Sequence, residues 1–150
     1  MPDTFNPQEL ASAASQAMWK RDNATHALGM ELVSIAPGRA VMQMKVRSDM
    51  VNGHNICHGG LIFTLADSAF AYACNSYNLN TVASGCSIDF LAPARDGDLL
   101  EATALERSAA GRTGVYDVEV KVLGANTVAL FRGKSYRIKG EVIEGFESHQ

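Results

Sequence analysis

The run LIFTLADSAFAYAC, Leu61 to Cys74, constrains the fold of this chain more than any other segment. It contains no proline, Lys or Arg, and its one carboxylic acid is Asp67. Leu61, Leu65, Ser68/Ala69 and Tyr72 fall at helical spacing, and so do Ile62, Ala66, Ala69 and Ala73. A helix apolar all round must be covered on most of its sides. The run is too short to span a bilayer, so protein has to supply that cover.

The rest of the chain reads as strands able to supply it. Leu32, Val33 and Ile35 lead into the Pro37-Gly38 turn. Ala40, Met42, Met44 and Val46 then alternate with Gln43, Lys45 and Arg47, the pattern of a half-buried strand. Val82, Ser84, Cys86, Ile88 and Phe90 alternate up to Pro93. Leu99–Glu106 precedes the turn Ala109-Ala110-Gly111-Arg112, and Tyr116, Val118, Val120 and Val122 follow at period two. A last strand runs from Thr127 to Ile138. At the other end, Asn6, Pro7 and Glu9 mark the start of a short helix with Leu10, Ala14, Ala17 and Met18 on one face. The fold predicted is α+β, an antiparallel sheet wrapped around a central helix at about 58–75, with a short N-terminal helix. The 150 residues suit one domain, with its core at about 26–139, a helix and connector over 1–25, and a loose tail over 140–150.

Several function classes fall away. The net charge of −3 without a basic block argues against nucleic acid and against an anionic membrane surface. The start MPDTFNPQEL lacks the basic and apolar regions of a secretory signal, and three cysteines without a CxxC pair suit a reduced, cytoplasmic setting. His54, Cys57 and His58 share one loop but lack a fourth ligand at a recognisable spacing, so neither metal nor cofactor is expected. Cys57 and His58, as sequence neighbours, make a poor nucleophile–base pair, and the cysteines read as small hydrophobes. His26 and His149 read as connector and tail residues.

Asp67 and the Gly59-Gly60 pair carry the chemistry. A carboxylate in the oiliest segment is either a structural Asp, bonded to Ser68 or to strand backbone, or a functional acid. The glycines are either a plain loop-to-helix junction or a pair of bare N–H donors at the positive end of a helix dipole, suited to an oxyanion. Eight residues of helix separate Gly59 from Asp67 by about 12 Å, whereas both groups would need to reach one carbonyl carbon within about 3–3.5 Å. If both serve one reaction, Asp67 must come from a second copy related by a two-fold axis.

The strings VNGHNICHGGLIFTLADSAFAYACN, VASGCSIDFLAP, GRTGVYDVEV and TVALFRGKSYRI resemble the PaaI-type hotdog thioesterases of phenylacetate degradation, over roughly Leu28 to Ile138. The resemblance implies a hotdog fold and hydrolysis of acyl-CoA, with phenylacetyl-CoA and its ring-hydroxylated derivatives favoured. It makes Asp67 the catalytic carboxylate, as nucleophile or general base, and Gly59 the oxyanion donor. It also implies that Asn52 places water or the carboxylate, that His58 assists at the sulfur or orients the loop, and that Ser84 is a weaker candidate for placing water. For CoA it points to Phe90, Leu91, Ala92 and Pro93 and to the turn Gly111-Arg112-Thr113, although a solvated turn arginine explains Arg112 equally well. It further implies a homo-oligomer, with dimers sharing active sites and pairing into a tetramer. Met42 and Met44 would line an acyl pocket or simply fill the core. Two rival readings use the same fold: a dehydratase of 3-hydroxyacyl thioesters working through His58 and Asp67, and a non-catalytic acyl-CoA-binding regulatory domain.

Overall fold

The computed structural model describes residues 4–145 and 147–148. A short strand β1 (Thr4–Phe5) leads into helix α1 (Pro7–Arg21). The start of α1 is built as its sequence implies. The Asn6 side-chain oxygen accepts from the Glu9 N–H, and the Asn6 amide donates to the Glu9 carboxylate, both at 2.8 Å. The connector that follows carries one further short helix, α2 (Asn23–Ala27), capped by Asp22.

Six strands then form one antiparallel sheet: β2 (Glu31–Ala36), β3 (Arg39–Lys45), β4 (Leu79–Phe90), β5 (Leu99–Ala110), β6 (Thr113–Val122) and β7 (Thr127–Glu141), ordered β2-β3-β5-β6-β7-β4. The sheet wraps the helix α3 (Gly59–Cys74), giving the α+β hotdog arrangement expected from the sequence. Ala40, Met42, Met44 and Val46 are fully buried against α3, as are Ala102, Ala104 and Val120. The approach is close at Gly133, where a Cβ would stand 2.8 Å from three atoms of the Phe70 ring. A side chain there would lift the helix off the sheet.

Two expectations need correcting. The alternation expected along β4 does not hold from end to end, because a bulge at Ala83/Gly85 shifts the pairing with β7. Ile88 lies opposite the buried Phe131 and so faces the helix, as do Cys86 and Phe90, whereas Val82 lies opposite Tyr136 on the outer face. An extra residue in one strand turns every side chain beyond it to the other face. The 140–150 tail is not loose throughout. The Asn78 side chain exchanges two hydrogen bonds with the Ile143 backbone (2.9 and 2.7 Å), and β8 (Glu147–Ser148) pairs parallel with β1. That anchoring is polar, so no hydrophobic period announces it. His149, expected in the tail, lies outside the described residues.

The helix is not covered on every side by its own chain. Thr64, Asp67, Ser68 and Ala71 form a half-exposed stripe at helical spacing. The stripe adjoins β4, an edge strand whose side chains from Val82 to Ser87 are all exposed.

Candidate active site

The helix start resolves two neighbouring glycines into different roles. His58 caps α3, and its ring Nδ1 accepts from the Gly60 N–H at 3.1 Å. A ring that accepts at Nδ1 carries its proton on Nε2 when neutral. The Leu61 and Ile62 N–H groups both turn to the His58 carbonyl (3.0 and 3.4 Å). Of the first-turn donors this leaves the Gly59 N–H, which has no acceptor among the described residues. It points outward along the helix dipole, where an anionic oxygen is favoured. The Phe90 ring lies beside it; a Cβ on Gly59 would come within 3.0 Å of that ring.

Asp67 sits on the half-exposed stripe. The Ser68 hydroxyl donates to the Thr64 carbonyl (2.7 Å), and no hydrogen bond or ion pair holds the Asp67 carboxylate among the described residues. The structural reading, in which Ser68 or strand backbone satisfies this acid, therefore has no counterpart in the fold. Burial pushes the Asp67 carboxyl above the usual carboxylate range, because nothing nearby compensates its lost hydration. Its charge reaches Cys74 and Cys86, whose thiols are pushed up by burial first and by Asp67 in addition, that of Cys74 to about 12.

The loop before the helix is held by Asn52. The Asn52 side-chain oxygen accepts from the His54 N–H (2.9 Å) and the Ile56 N–H (3.4 Å), while its backbone N–H reaches the Ile56 carbonyl (2.8 Å). The oxygen is thus committed to the loop, and the Nδ2 amide has no acceptor among the described residues. Cys57 is buried with its thiol directed to the His58 carbonyl, whereas His54 is exposed. Ser84, in the β4 bulge, donates to the Lys134 carbonyl at 3.2 Å.

The two segments expected at CoA lie far apart in one chain. Phe90 and Leu91 are exposed at 52% and 56% at the amino end of α3, and the following Ala94 carbonyl accepts from the Cys57 N–H. The Gly111-Arg112 hairpin tip lies by the opposite end, its Arg112 carbonyl accepting from the Arg137 N–H across from Thr81. Thr81 to Phe90 along β4 is about 30 Å. The Arg112 guanidinium itself donates to the Arg137 carbonyl (3.3 Å).

That hairpin forms part of the rim of a cavity of about 630 Å³ beyond the carboxyl end of α3. Its inner wall includes Cys74, Tyr77, Glu106, Tyr116 and Ser135. Sequence reasoning missed this cluster. Glu106 was legible in principle, since it continues the inward alternation Leu100, Ala102, Ala104 along β5.

Residues 54–129 match the model of the thioesterase superfamily. The chain is 52% identical to the acyl-coenzyme A thioesterase PaaI of Escherichia coli over 85% of its own length and 91% of that protein's. The solved structure of the E. coli PaaI protein from the phenylacetic acid degradation operon superposes with a TM-score of 0.89 at 50% identity, covering 91% of this chain and 99% of that one. A Streptococcus mutans protein bound to acetyl CoA superposes with a TM-score of 0.71 at 26% identity, covering 75% and 90%.

Proposed function

Because this chain belongs to the thioesterase superfamily and is an acyl-CoA thioester hydrolase, we propose that it cleaves arylacetyl-CoA esters between the Asp67 of one copy and the Gly59 of another. The preferred substrates are phenylacetyl-CoA and its ring-hydroxylated derivatives. The observation that carries the reading is the pairing of two groups that have no partner among the described residues: the half-buried Asp67 carboxylate and the Gly59 N–H. The carboxylate's burial costs folding energy, and each group suits one half of acyl transfer.

A thioester carbonyl seated against the Gly59 N–H gains charge on oxygen as it is attacked, and a preorganised donor stabilises that charge. Attack by Asp67 itself gives an acyl-aspartyl anhydride and expels CoA thiolate; water then splits the anhydride. As a general base, Asp67 instead takes a proton from water, which adds directly to the carbonyl carbon. The Asn52 Nδ2 is the donor that positions the water or carboxylate, and Ser84 is the weaker candidate for placing water, since its hydroxyl donates to the Lys134 carbonyl. His58 acts by holding Gly60, so that only Gly59 faces the ligand. Attack and polarisation both come from the chain's own groups, and the reaction needs no metal or cofactor.

The dimer follows from the 12 Å helical separation of Gly59 and Asp67 (about 1.5 Å per residue). Support comes from the half-exposed stripe on α3 and the unpaired edge of β4, which a second copy would cover together. Phe90–Pro93 of one copy and Gly111–Thr113 of the other then flank one crease and hold CoA between them. Exposed Val82, Leu105, Leu130 and Tyr136 on the outer face suit the pairing of dimers into a tetramer. Among the described residues no helix is long and apolar enough to cross a membrane, and we place the enzyme in the cytoplasm. Thiol release across a panel of CoA esters tests the substrate class. Faster turnover of long aliphatic esters than of arylacetyl esters would refute it.

A further inference from the structure

The cavity beyond the carboxyl end of α3 contains an acid that the reaction does not use. Glu106 projects from the inner face of β5 opposite Tyr116 of β6. One of its oxygens, Oε1, accepts from both the Tyr77 hydroxyl (3.0 Å) and the Tyr116 hydroxyl (2.9 Å). The other, Oε2, has no hydrogen-bond partner, and no cation pairs with this carboxylate among the described residues. Both tyrosine hydroxyls are pushed up by burial first and by Glu106 next, Tyr77 to about 12, so they remain donors.

The cluster is sterically fixed. Gly38, with φ 71, packs beneath it, and a Cβ there would stand 2.8 Å from the Tyr77 hydroxyl and 3.0 Å from the Glu106 Cβ. Tyr116 is 3% exposed, its ring edge-on to Phe70 at 5.5 Å. Phe70 stands three residues beyond Asp67, and Cys74, on the cavity wall, senses the Asp67 charge. Asp67 to Cys74 is two turns of one helix face, about 10 Å. An arylacetyl ring directed from a carbonyl carbon in contact with Asp67 along that helix face heads toward the cavity wall at Cys74.

We propose that the inner cavity receives the acyl ring and that Glu106, oriented by Tyr77 and Tyr116, accepts a hydrogen bond from a ring hydroxyl, selecting donor-bearing acyl groups. The inference rests on the arylacetyl-CoA reading above. A site built to accept from a substrate hydroxyl penalises an analogue without the donor, because its acceptor is left unpaired.

The test compares 4-hydroxyphenylacetyl-CoA with 4-fluorophenylacetyl-CoA, near-isosteres differing in the donor, in the whole enzyme. The wild type should favour the hydroxyl ester by roughly 10- to 100-fold in kcat/KM, the scale of a hydrogen bond to a charged group. Glu106→Gln, which offers an N–H₂ in place of the free oxygen, should bring that ratio to within a few-fold of unity. Equal turnover of the two esters by the wild type, or an unchanged ratio in Glu106→Gln, overturns the role of Glu106 while leaving the arylacetyl reading intact. Turnover of an aliphatic ester with neither aryl ester cleaved overturns that reading, and this inference with it.

Discussion

Replacing Gly59 with proline isolates the proposed oxyanion donor from the fold. Proline removes the one N–H under test and no other polar group. Gly59 is the first residue of α3, where a missing N–H is tolerated and the proline φ is already helical. The residue before a proline must be extended, and His58 is, at φ −60 and ψ 130. No hydrogen bond among the described residues is lost, because that N–H has no acceptor there. The one close contact is the Phe90 ring, 3.0 to 3.4 Å from the Cβ position, and at 52% exposure that ring has room to turn. Loss of chain freedom in the unfolded state should stabilise the variant by about 0.4–1 kcal/mol, less the ring displacement. Loss of the donor should cut kcat by about 10²–10³, equivalent to about 2.7–4 kcal/mol of transition-state stabilisation. The assay is thiol release beside a thermal melt. A variant with wild-type kcat and an unchanged melt would place the oxyanion elsewhere. Subunit exchange with Asp67→Asn adds a second readout: random mixing of equal amounts leaves about one quarter of the sites with both groups intact. Absence of rescue despite demonstrated exchange would refute sites shared between copies.

Further expectations follow from the same geometry. Asp67→Asn should lower kcat by about 10²–10⁴ while raising Tm at neutral pH, since it removes an uncompensated charge from a half-buried position; a lower Tm would mean the carboxylate holds the fold together. The raised Asp67 carboxyl also sets two pH dependences. Activity should rise with pH through a value above the ordinary carboxylate range, a limb seen in a kcat–pH profile. The folded state holds the Asp67 proton more tightly than the unfolded chain, so its destabilisation is absent below the unfolded value of 3.8 and grows as pH climbs through the folded one. The Tm advantage of Asp67→Asn should therefore vanish in acid and open toward neutrality. His58→Ala should cost about 1 kcal/mol in chemical denaturation through the lost cap on Gly60, and His58→Asn, another capping side chain, should recover part of it. Phe70→Ala should cost about 3–5 kcal/mol in the same assay, because that buried ring fills the space over Gly133 and beside Tyr116 and Phe131.

Much of this molecule was legible in its residues because local periodicity carried the information. The strands β3 and β6 repeat their apolar residues at period two, so element and inward face were read together, whereas α3 was legible as a helix but not as to which side its own chain leaves open. Strand β4 was read correctly as a strand but not as to which way its first half faces, because a bulge leaves no periodic mark. Asp67 stood out as an acid in an apolar run. That it has no partner among the described residues could not be read, since a partner can come from any strand.

What the sequence alone determined was the kind of chain this is: an oily helix needing a sheet, with one carboxylate set into it and a glycine pair at its start. Tertiary structure decided the rest. It separated Gly59 from Gly60 by which N–H the His58 ring occupies, set Phe90–Pro93 and Gly111–Thr113 at opposite ends of one chain, and brought Tyr77 to Glu106 and Tyr116 of the β5–β6 hairpin around a cavity. The physical reason is range. Periodicity and capping act within a few residues and leave their trace in order along the chain, whereas hydrogen-bond partnership and cavities depend on which distant side chains the fold brings to one place.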